Sequence, residues 1–110
     1  MKYLIVGSRK ITDFNLEDFI PDGVDTIISG GASGVDTLAE QYADAHNLPK
    51  IIIRPEYARY SRAAPLKRNE TMVDLCDAVL VIWDGVSKGT KYTIDYAKKK
   101  GKDVKVVIVE

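Results

Sequence analysis

Five short apolar runs alternate along the chain with longer segments in which apolar residues recur every three or four positions. The runs consist almost entirely of Val, Ile, Leu and other apolar residues, which is typical of strands buried on both faces of a parallel sheet. We therefore predict five buried parallel strands, over residues 3–6, 26–29, 51–53, 78–83 and 104–109.

Helical periodicity is clearest between the second and third runs, where apolar and aromatic residues spaced three and four apart predict a helix over 35–46. A shorter helix is predicted between the first two runs, because Asp13 is a suitable N-cap and a Pro-Asp-Gly turn at 21–23 would end the helix. Its core-facing side chains would be Phe14, Phe19 and Ile20.

Two further helices are predicted in the second half of the chain. One spans 65–76 and has Pro65 in its first turn, where proline is well tolerated. The other spans 90–100, with Thr90 as its N-cap and three lysines in its last turn, where they suit the helix dipole. Alternating strands and helices predict a single α/β domain over 1–110, a doubly wound three-layer sandwich of about five parallel strands and about four helices.

The charge balance and the cysteine content narrow the function classes. Sixteen Lys and Arg residues face sixteen Asp and Glu residues, so the formal net charge is zero and nothing drives non-specific nucleic-acid binding at long range. Cys76 is the only cysteine, so no internal disulfide can form, and no apolar run approaches the roughly 20 residues that cross a bilayer. With no secretion signal behind Met1, we expect a cytoplasmic protein that does not enter a membrane.

Glycines concentrate at one edge of the predicted sheet. Ligands of open parallel sheets bind beyond the carboxyl ends of the strands, where the winding reverses. Only Gly23 and Gly101 belong to the opposite edge. The other glycines all follow predicted strands: Gly7, Gly30, Gly31, Gly34, Gly85 and Gly89.

The loop after the second strand, residues 30–36, leads directly into the helix with the clearest periodicity. Bare backbone N–H groups and the positive end of a helix dipole would suit a phosphate there, whereas the alternative is that the glycines only make a tight turn. The loop is not a P-loop, and Ser29 stands where a dinucleotide-binding fingerprint has its first glycine. We therefore do not predict a dehydrogenase.

Residues 84–90 form a second loop of this kind, with a carboxylate, two glycines and two hydroxyls before the fourth helix. Its alternative interpretation is structural, with Asp84 capping a turn and Thr90 capping the helix. Arg9 either neutralises a phosphate or lies in solvent, and the periodicity alone would leave Arg68 and Asn69 facing solvent.

Acid or base chemistry would have to come from carboxylates. The only histidine, His46, is far from Cys76 in sequence, so we predict neither a zinc site nor a Cys-His nucleophile, and no metal site is expected. Asp36 and Asp84 are the candidate catalytic residues, ahead of Glu56 and Glu70.

Four motifs along the chain resemble the YspA-type branch of the SLOG superfamily. Relatives in that superfamily include LOG-type phosphoribohydrolases and the DNA-processing protein A core. The resemblance implies a Rossmann-like fold and a pocket for nucleotides or nucleotide-derived ligands, with no required cofactor. It rests on Gly7-Ser8-Arg9 with Asp13, on residues 28–36, on Arg68-Asn69 with Met72, and on Trp83-Asp84-Gly85 with Ser87, Gly89 and Thr90.

The chain departs from the hydrolase pattern of that superfamily at one functional position. LOG-type enzymes have Pro-Gly-Gly-x-Gly-Thr-x-x-Glu, whereas this chain has Val-Ser-Lys at 86–88 and Thr93 in place of the glutamate. Cleavage of an N-glycosidic bond is therefore left to Asp84 or Asp36, which would stabilise the positive sugar carbon and orient water.

The sequence is compatible with three functions. The first is binding or sensing of a nucleotide-derived small molecule such as ADP-ribose or NAD, with a homo-oligomer as a candidate assembly. The second is hydrolysis of a nucleoside monophosphate at its N-glycosidic bond, and the third is single-stranded nucleic-acid binding through the Arg-rich and Tyr-rich residues 54–68. The predicted ligand-binding residues are Gly7, Ser8, Arg9, Gly30, Gly31, Ala32, Ser33, Gly34, Asp36, Arg68, Asn69, Asp84, Gly85, Ser87, Gly89 and Thr90.

Overall fold

A computed structural model describes residues 1–109 and contains one five-stranded sheet in which every pair of neighbouring strands is parallel. The strand order is β3-β2-β1-β4-β5, so the winding direction reverses between β1 and β4. The strands are β1 (Lys2–Gly7), β2 (Thr26–Ser29), β3 (Lys50–Ile52), β4 (Ala78–Trp83) and β5 (Asp103–Ile108).

Helices connect the strands and cover both faces of the sheet. They are α1 (Val35–Ala45), α2 (Tyr57–Tyr60), α3 (Ala64–Leu75) and α4 (Lys88–Lys99), together with short 3-10 turns at Glu17–Phe19 and Ser61–Ala63. Within residues 1–109, no helix combines the length and the apolar character that a bilayer span requires.

Two separate cores lie on the two faces, because successive side chains of a strand point to opposite sides. On one face α1 packs against Tyr3, Ile5, Ile27, Leu80 and Ile82. On the other, α3 and α4 pack against Leu4, Val6, Ile28, Val79 and Val81. The predicted fold is confirmed: a doubly wound, Rossmann-like three-layer α/β sandwich with five parallel strands.

The prediction that all five strands are buried on both faces is wrong for the two edge strands. β3 has no fully buried residue, and β5 contains only exposed and half-buried positions. Each has one neighbouring strand only, so its outer side meets solvent, whereas β1, β2 and β4 lie inside the sheet.

The predicted helix after Asp13 is wrong. Only the 3-10 turn Glu17–Phe19 forms there, and the Asn15 side chain accepts the Glu17 N–H at 3.0 Å. A short polar side chain that bonds nearby backbone in this way competes with a helix. Leu16 is the buried residue of the segment, while Phe14, Phe19 and Ile20 pack against the core as predicted but remain partly exposed.

Helix α4 begins earlier than predicted. Ser87, with an extended backbone, occupies the N-cap position, and Thr90 lies buried in the first turn, so the prediction of Thr90 as the N-cap is wrong. Asp84 accepts the N–H groups of Val86 and Ser87 and turns the chain into the helix at that point. Helices α1 and α3 lie within one residue of their predicted bounds.

Candidate functional site

A pocket of about 440 Å³ opens at the carboxyl edge of the sheet, beside the ends of β1 and β4 where the winding reverses. Its walls come from the loop after β1, the start of α1, the first half of α3 and the loop that begins α4. They include Gly7, Ser8, Arg9, Lys10, Ala32, Asp36, Leu66, Arg68, Asn69, Met72, Asp84, Val86, Ser87, Gly89, Thr90 and Thr93.

A second pocket of about 230 Å³ adjoins the first, towards β2 and β3. It shares Arg9, Ala32 and Arg68 with the larger pocket, and its remaining walls are Gly30, Gly31, Ser33, Pro55 and Tyr57. The structure thus places the predicted ligand-binding residues around two adjoining pockets, except Gly34 and Gly85, which line neither. Ligand contact itself remains a prediction.

Three of the seven N–H groups of loop 30–36, which were expected to be bare, have acceptors within the protein. The Gly31 N–H donates to the Ser29 hydroxyl at 3.3 Å, and the Ala32 N–H donates to the Asp36 carboxylate at 3.2 Å. The Val35 N–H donates to the Ser8 carbonyl at 3.3 Å. The expectation is therefore wrong at these three positions, and the carboxylate of Asp36 already lies in the first turn of α1.

Two of the glycines are required by packing. A Cβ on Gly7 would lie 2.1 Å from the carbonyl oxygen of Ile82, and one on Gly34 would lie 2.5 Å from that of Ser8. Gly34 also has a φ of +73°, a backbone conformation that residues with a side chain rarely adopt. At Gly34, which belongs to loop 30–36, the structure supports the tight-turn alternative.

Asp84 organises the loop before α4. Its carboxylate accepts the N–H groups of Val86 and Ser87 at 2.9 and 2.8 Å and the Ser87 hydroxyl at 2.8 Å. Chiefly because of the two backbone donors, the pKa of Asp84 is lowered to about 2. Such a group is ionised at neutral pH and serves the loop as a structural acceptor. An ionised carboxylate does not suit a general acid, whereas its expected role of stabilising a positive sugar carbon stays a prediction.

The start of α4 offers the clearest position for an anion. The first helical bond of this turn runs from the Lys91 N–H to the Ser87 carbonyl, so the N–H groups of Lys88, Gly89 and Thr90 have no acceptor within the helix. Gly89 and Thr90 line the larger pocket, and a Cβ on Gly89 would meet no atom within 4 Å.

A chain of side-chain hydrogen bonds crosses the wall of the larger pocket. Arg68, which is 8% exposed, donates from Nη1 to the Gly30 carbonyl at 2.6 Å and from Nε to Asn69 Oδ1 at 2.7 Å. Asn69 donates to the Thr93 hydroxyl at 2.8 Å, and that hydroxyl donates to the Gly89 carbonyl at 3.0 Å. The alternative that periodicity alone gave, with Arg68 facing solvent, is therefore wrong, and the network joins the loop after β2 to the start of α4.

Asp36 is the buried acid of the larger pocket. It is 7% exposed, and burial raises its pKa above the ordinary value of 3.8. The Ala32 N–H and the positive charges of Arg68 and Arg9 oppose that rise. A carboxyl group in this setting keeps its proton to higher pH than an exposed aspartate, as an acid catalyst requires.

Lys10 after β1, Leu66 and Met72 on α3, and Val86 before α4 line the larger pocket but were not among the predicted ligand-binding residues. Met72 had been part of a motif of the family resemblance, and Val86 lies in the predicted loop 84–90. Thr93 is fully buried and works as a hydrogen-bonding residue of the network. Helical periodicity could have indicated that Met72 is buried but not that it faces a pocket.

The basic segment that suggested nucleic-acid binding is mostly apart from the pockets. Arg54 donates to the Gly31 carbonyl at 3.3 Å, whereas Arg59 and Arg62 are exposed and line neither pocket. At the other edge of the sheet His46 bonds Glu17 at 2.7 Å. Across residues 1–109, no group of three His, Cys, Asp or Glu side chains is arranged to hold a metal ion.

One relative shares sequence with part of this chain. The uncharacterized SPbeta prophage-derived protein YoqJ of Bacillus subtilis (strain 168) is 33% identical over 63 residues. The similarity covers 56% of this chain and 37% of the length of that relative. No protein-family model matches the chain, and no solved structure matches it.

Proposed function

We propose that this protein binds a nucleotide-derived small molecule, such as ADP-ribose, NAD or a nucleoside phosphate, in the pocket at the carboxyl edge of its sheet. The observation that carries the proposal is the composition of that 440 Å³ pocket, which combines apolar side chains, cationic side chains and a helix start at the point where the winding reverses. Its volume lies within the range of small-molecule sites.

The apolar part of the pocket suits a nucleobase. Leu66 and Met72 on α3 and Val86 before α4 contribute to its lining. Met72 is almost completely buried, while Val86 is 78% exposed. A flat, largely apolar ring would cover part of this surface and gain free energy from leaving water.

The charged part suits a phosphate. The N–H groups of Gly89 and Thr90 begin α4 at the pocket, and the positive end of the helix dipole lies with them. Arg9 and Lys10 contribute two exposed cations from the loop after β1. Because Asp84 already accepts the N–H groups of its own loop, its geometry fits a ligand-binding pocket better than it fits catalysis by that residue.

The test is a thermal-shift panel of the purified protein with AMP, ADP, NAD, ADP-ribose, cyclic nucleotides and deoxynucleotides. A ligand at about 100 times its dissociation constant adds roughly 2.7 kcal/mol to the free energy of unfolding. A reproducible rise in Tm with one ligand class supports the proposal, and no rise with any member contradicts it.

A charge-matched pair of variants locates the binding. Lys10→Met removes a cation at the pocket, whereas Lys98→Met removes an exposed cation at the far end of α4. We expect Lys10→Met to weaken binding of a phosphate-bearing ligand by about fivefold, because a charge-assisted contact is lost. Equal affinities for the two variants would place the ligand elsewhere.

A second candidate is hydrolysis of an N-glycosidic bond, favoured by Asp36 as a buried acid in the pocket wall. In that reaction Asp36 would give a proton to the departing base while water adds its hydroxyl to the sugar C1′, and the remaining proton of that water would return to the Asp36 carboxylate. Chromatography of each incubated sample for released base tests it. Release by the wild type that Asp36→Asn abolishes would support hydrolysis, and no release would leave binding alone.

A further inference from the structure

The two pockets meet at a guanidinium that the protein holds in place. Arg68 bonds Gly30, a wall residue of the smaller pocket, through Nη1, and Asn69, a wall residue of the larger one, through Nε. The planar group therefore lies at the boundary between the pockets, and the exposed Arg9 lines both of them.

This boundary has positive charge available for a ligand. An arginine carries five N–H donors, and within residues 1–109 the Nη2 group of Arg68 has no acceptor while Nε and Nη1 do. Arg54 places a third guanidinium next to Gly31 in the wall of the smaller pocket. Fork-shaped donors of this kind match phosphate oxygens in bidentate fashion.

The smaller pocket is an extension of the larger pocket rather than a separate site. Its volume of about 230 Å³ is below the range of self-standing small-molecule pockets. Tyr57 at its rim is 58% exposed, although tyrosine rings usually cover apolar surface. An exposed ring with a polar tip offers both a flat face for C–H groups and a partner for hydroxyls, which are the two features of a sugar.

We propose that the two pockets form one divided site for a nucleoside diphosphate that carries a sugar on its second phosphate. This inference rests on the proposed function. The base lies in the larger pocket, the two phosphates lie at the boundary beside Arg9 and Arg68, and the sugar lies in the smaller pocket against Tyr57.

Paired ligands test the inference: ADP with ADP-ribose, UDP with UDP-glucose, and GDP with GDP-mannose. Within a pair the sugar-linked member gains the sugar and loses one ionisable phosphate oxygen, so the charge difference alone would favour the plain diphosphate at a cationic site. Isothermal titration of the full chain gives the affinity ratio within each pair. We expect the sugar-linked member of at least one pair to bind about tenfold more tightly than the plain diphosphate.

A tyrosine pair on one short helix provides the control. Tyr57→Ala should bring the ratio close to one, because the ring against the sugar is lost. Tyr60→Ala removes the other tyrosine of α2, which lines neither pocket, and should keep the ratio of the wild type.

The outcomes separate this inference from the proposed function. If no nucleotide of the panel or of the pairs binds, both the proposed function and the divided site are wrong. If plain and sugar-linked diphosphates bind equally, the divided site is wrong while the proposed function stands. A preference that persists in Tyr57→Ala would also overturn the divided site, because the sugar would then lie away from the smaller pocket.

Discussion

Arg68 and Gly30 are 38 residues apart in the chain, yet Arg68 Nη1 donates to the Gly30 carbonyl oxygen over 2.6 Å in a buried contact. The bond fastens α3 to the loop that follows β2. It also orients a guanidinium towards both pockets, so one side chain contributes to the stability of the fold and to the charge of the candidate site.

We predict that Arg68→Met lowers the free energy of unfolding by about 3 kcal/mol, because two charge-assisted hydrogen bonds are lost and their acceptors, the buried Gly30 carbonyl and the half-buried Asn69 amide oxygen, stay behind. Arg68→Lys keeps the charge but cannot reproduce both hydrogen bonds. We therefore expect its free energy of unfolding to lie between those of Arg68→Met and the wild type. Urea unfolding of the three proteins measures the difference.

Arg62→Met is the control for that series, since Arg62 is exposed on a 3-10 turn just before α3. It should change the free energy of unfolding by no more than about 0.5 kcal/mol. Equal losses for Arg62→Met and Arg68→Met would show that the contact with Gly30 contributes little.

Local pattern predicted most of the fold. The strands β1, β2 and β4 are continuous apolar runs, and α1 has a clear stripe at helical spacing. The helix expected after Asp13 does not form, because Asn15 bonds the Glu17 N–H there, and Leu16, outside the predicted stripe, is the residue that becomes buried. The burial of the edge strands was overestimated, since a run of Val and Ile does not reveal whether a strand has one neighbouring strand or two.

The candidate site was less predictable for a different physical reason. Glycines and hydroxyls at strand ends indicated the correct edge of the sheet, because that placement follows from topology. The burial of Arg68 depends on where α3 crosses the loop after β2, which no local spacing encodes. Asp36 differs, because its carboxylate accepts the Ala32 N–H only four residues earlier, a local contact that the expectation of free N–H groups in this loop overlooked.

The hydroxyl of Thr93 is predicted to stabilise the pocket wall. Thr93→Val keeps the shape of the side chain but removes the acceptor of the Asn69 amide and the donor to the Gly89 carbonyl. We expect a loss of about 1–2 kcal/mol in the free energy of unfolding, measured by urea titration.

Thr71→Val is the matched control for Thr93→Val. Thr71 is exposed on α3, and its hydroxyl bonds only the Lys67 carbonyl one turn earlier. The change should stay within about 0.5 kcal/mol. A loss as large as that of Thr93→Val would mean that replacing threonine in a helix, rather than breaking the network, determines the result.

The buried Asp36 is expected to make stability depend on pH. Its folded-state pKa is raised above 3.8, so the folded protein binds this proton more tightly than the unfolded chain does. The stabilising contribution is therefore complete below 3.8 and is lost as the pH rises through the folded-state pKa.

Asp36→Asn removes that titration, and its amide oxygen can still accept the Ala32 N–H. Relative to the wild type, the variant should thus gain stability as the pH rises from about 3 to about 7. Thermal unfolding across this range checks the sign. A difference that stays constant, or that falls with pH, would contradict the burial of an ionisable group at this position.

Gly89 gives the cleanest way to block the larger pocket. Gly31 is a poor choice, because its φ is +70° and an added Cβ would lie 2.7 Å from Arg54 Nη1. Gly89 lies in α4 without a left-handed φ, and a Cβ there meets nothing within 4 Å. Gly89→Ala should raise the free energy of unfolding by about 0.5–1 kcal/mol, since alanine favours a helix.

A large residue at the same position should separate binding from folding. We expect Gly89→Trp to stay folded, with a Tm near that of the wild type, and to weaken nucleotide binding by at least about tenfold, because the ring extends from the open side of the helix start beside the pocket. Titration with the tightest ligand of the panel measures the affinity. Unchanged affinity in a folded Gly89→Trp protein would remove the start of α4 from the binding site.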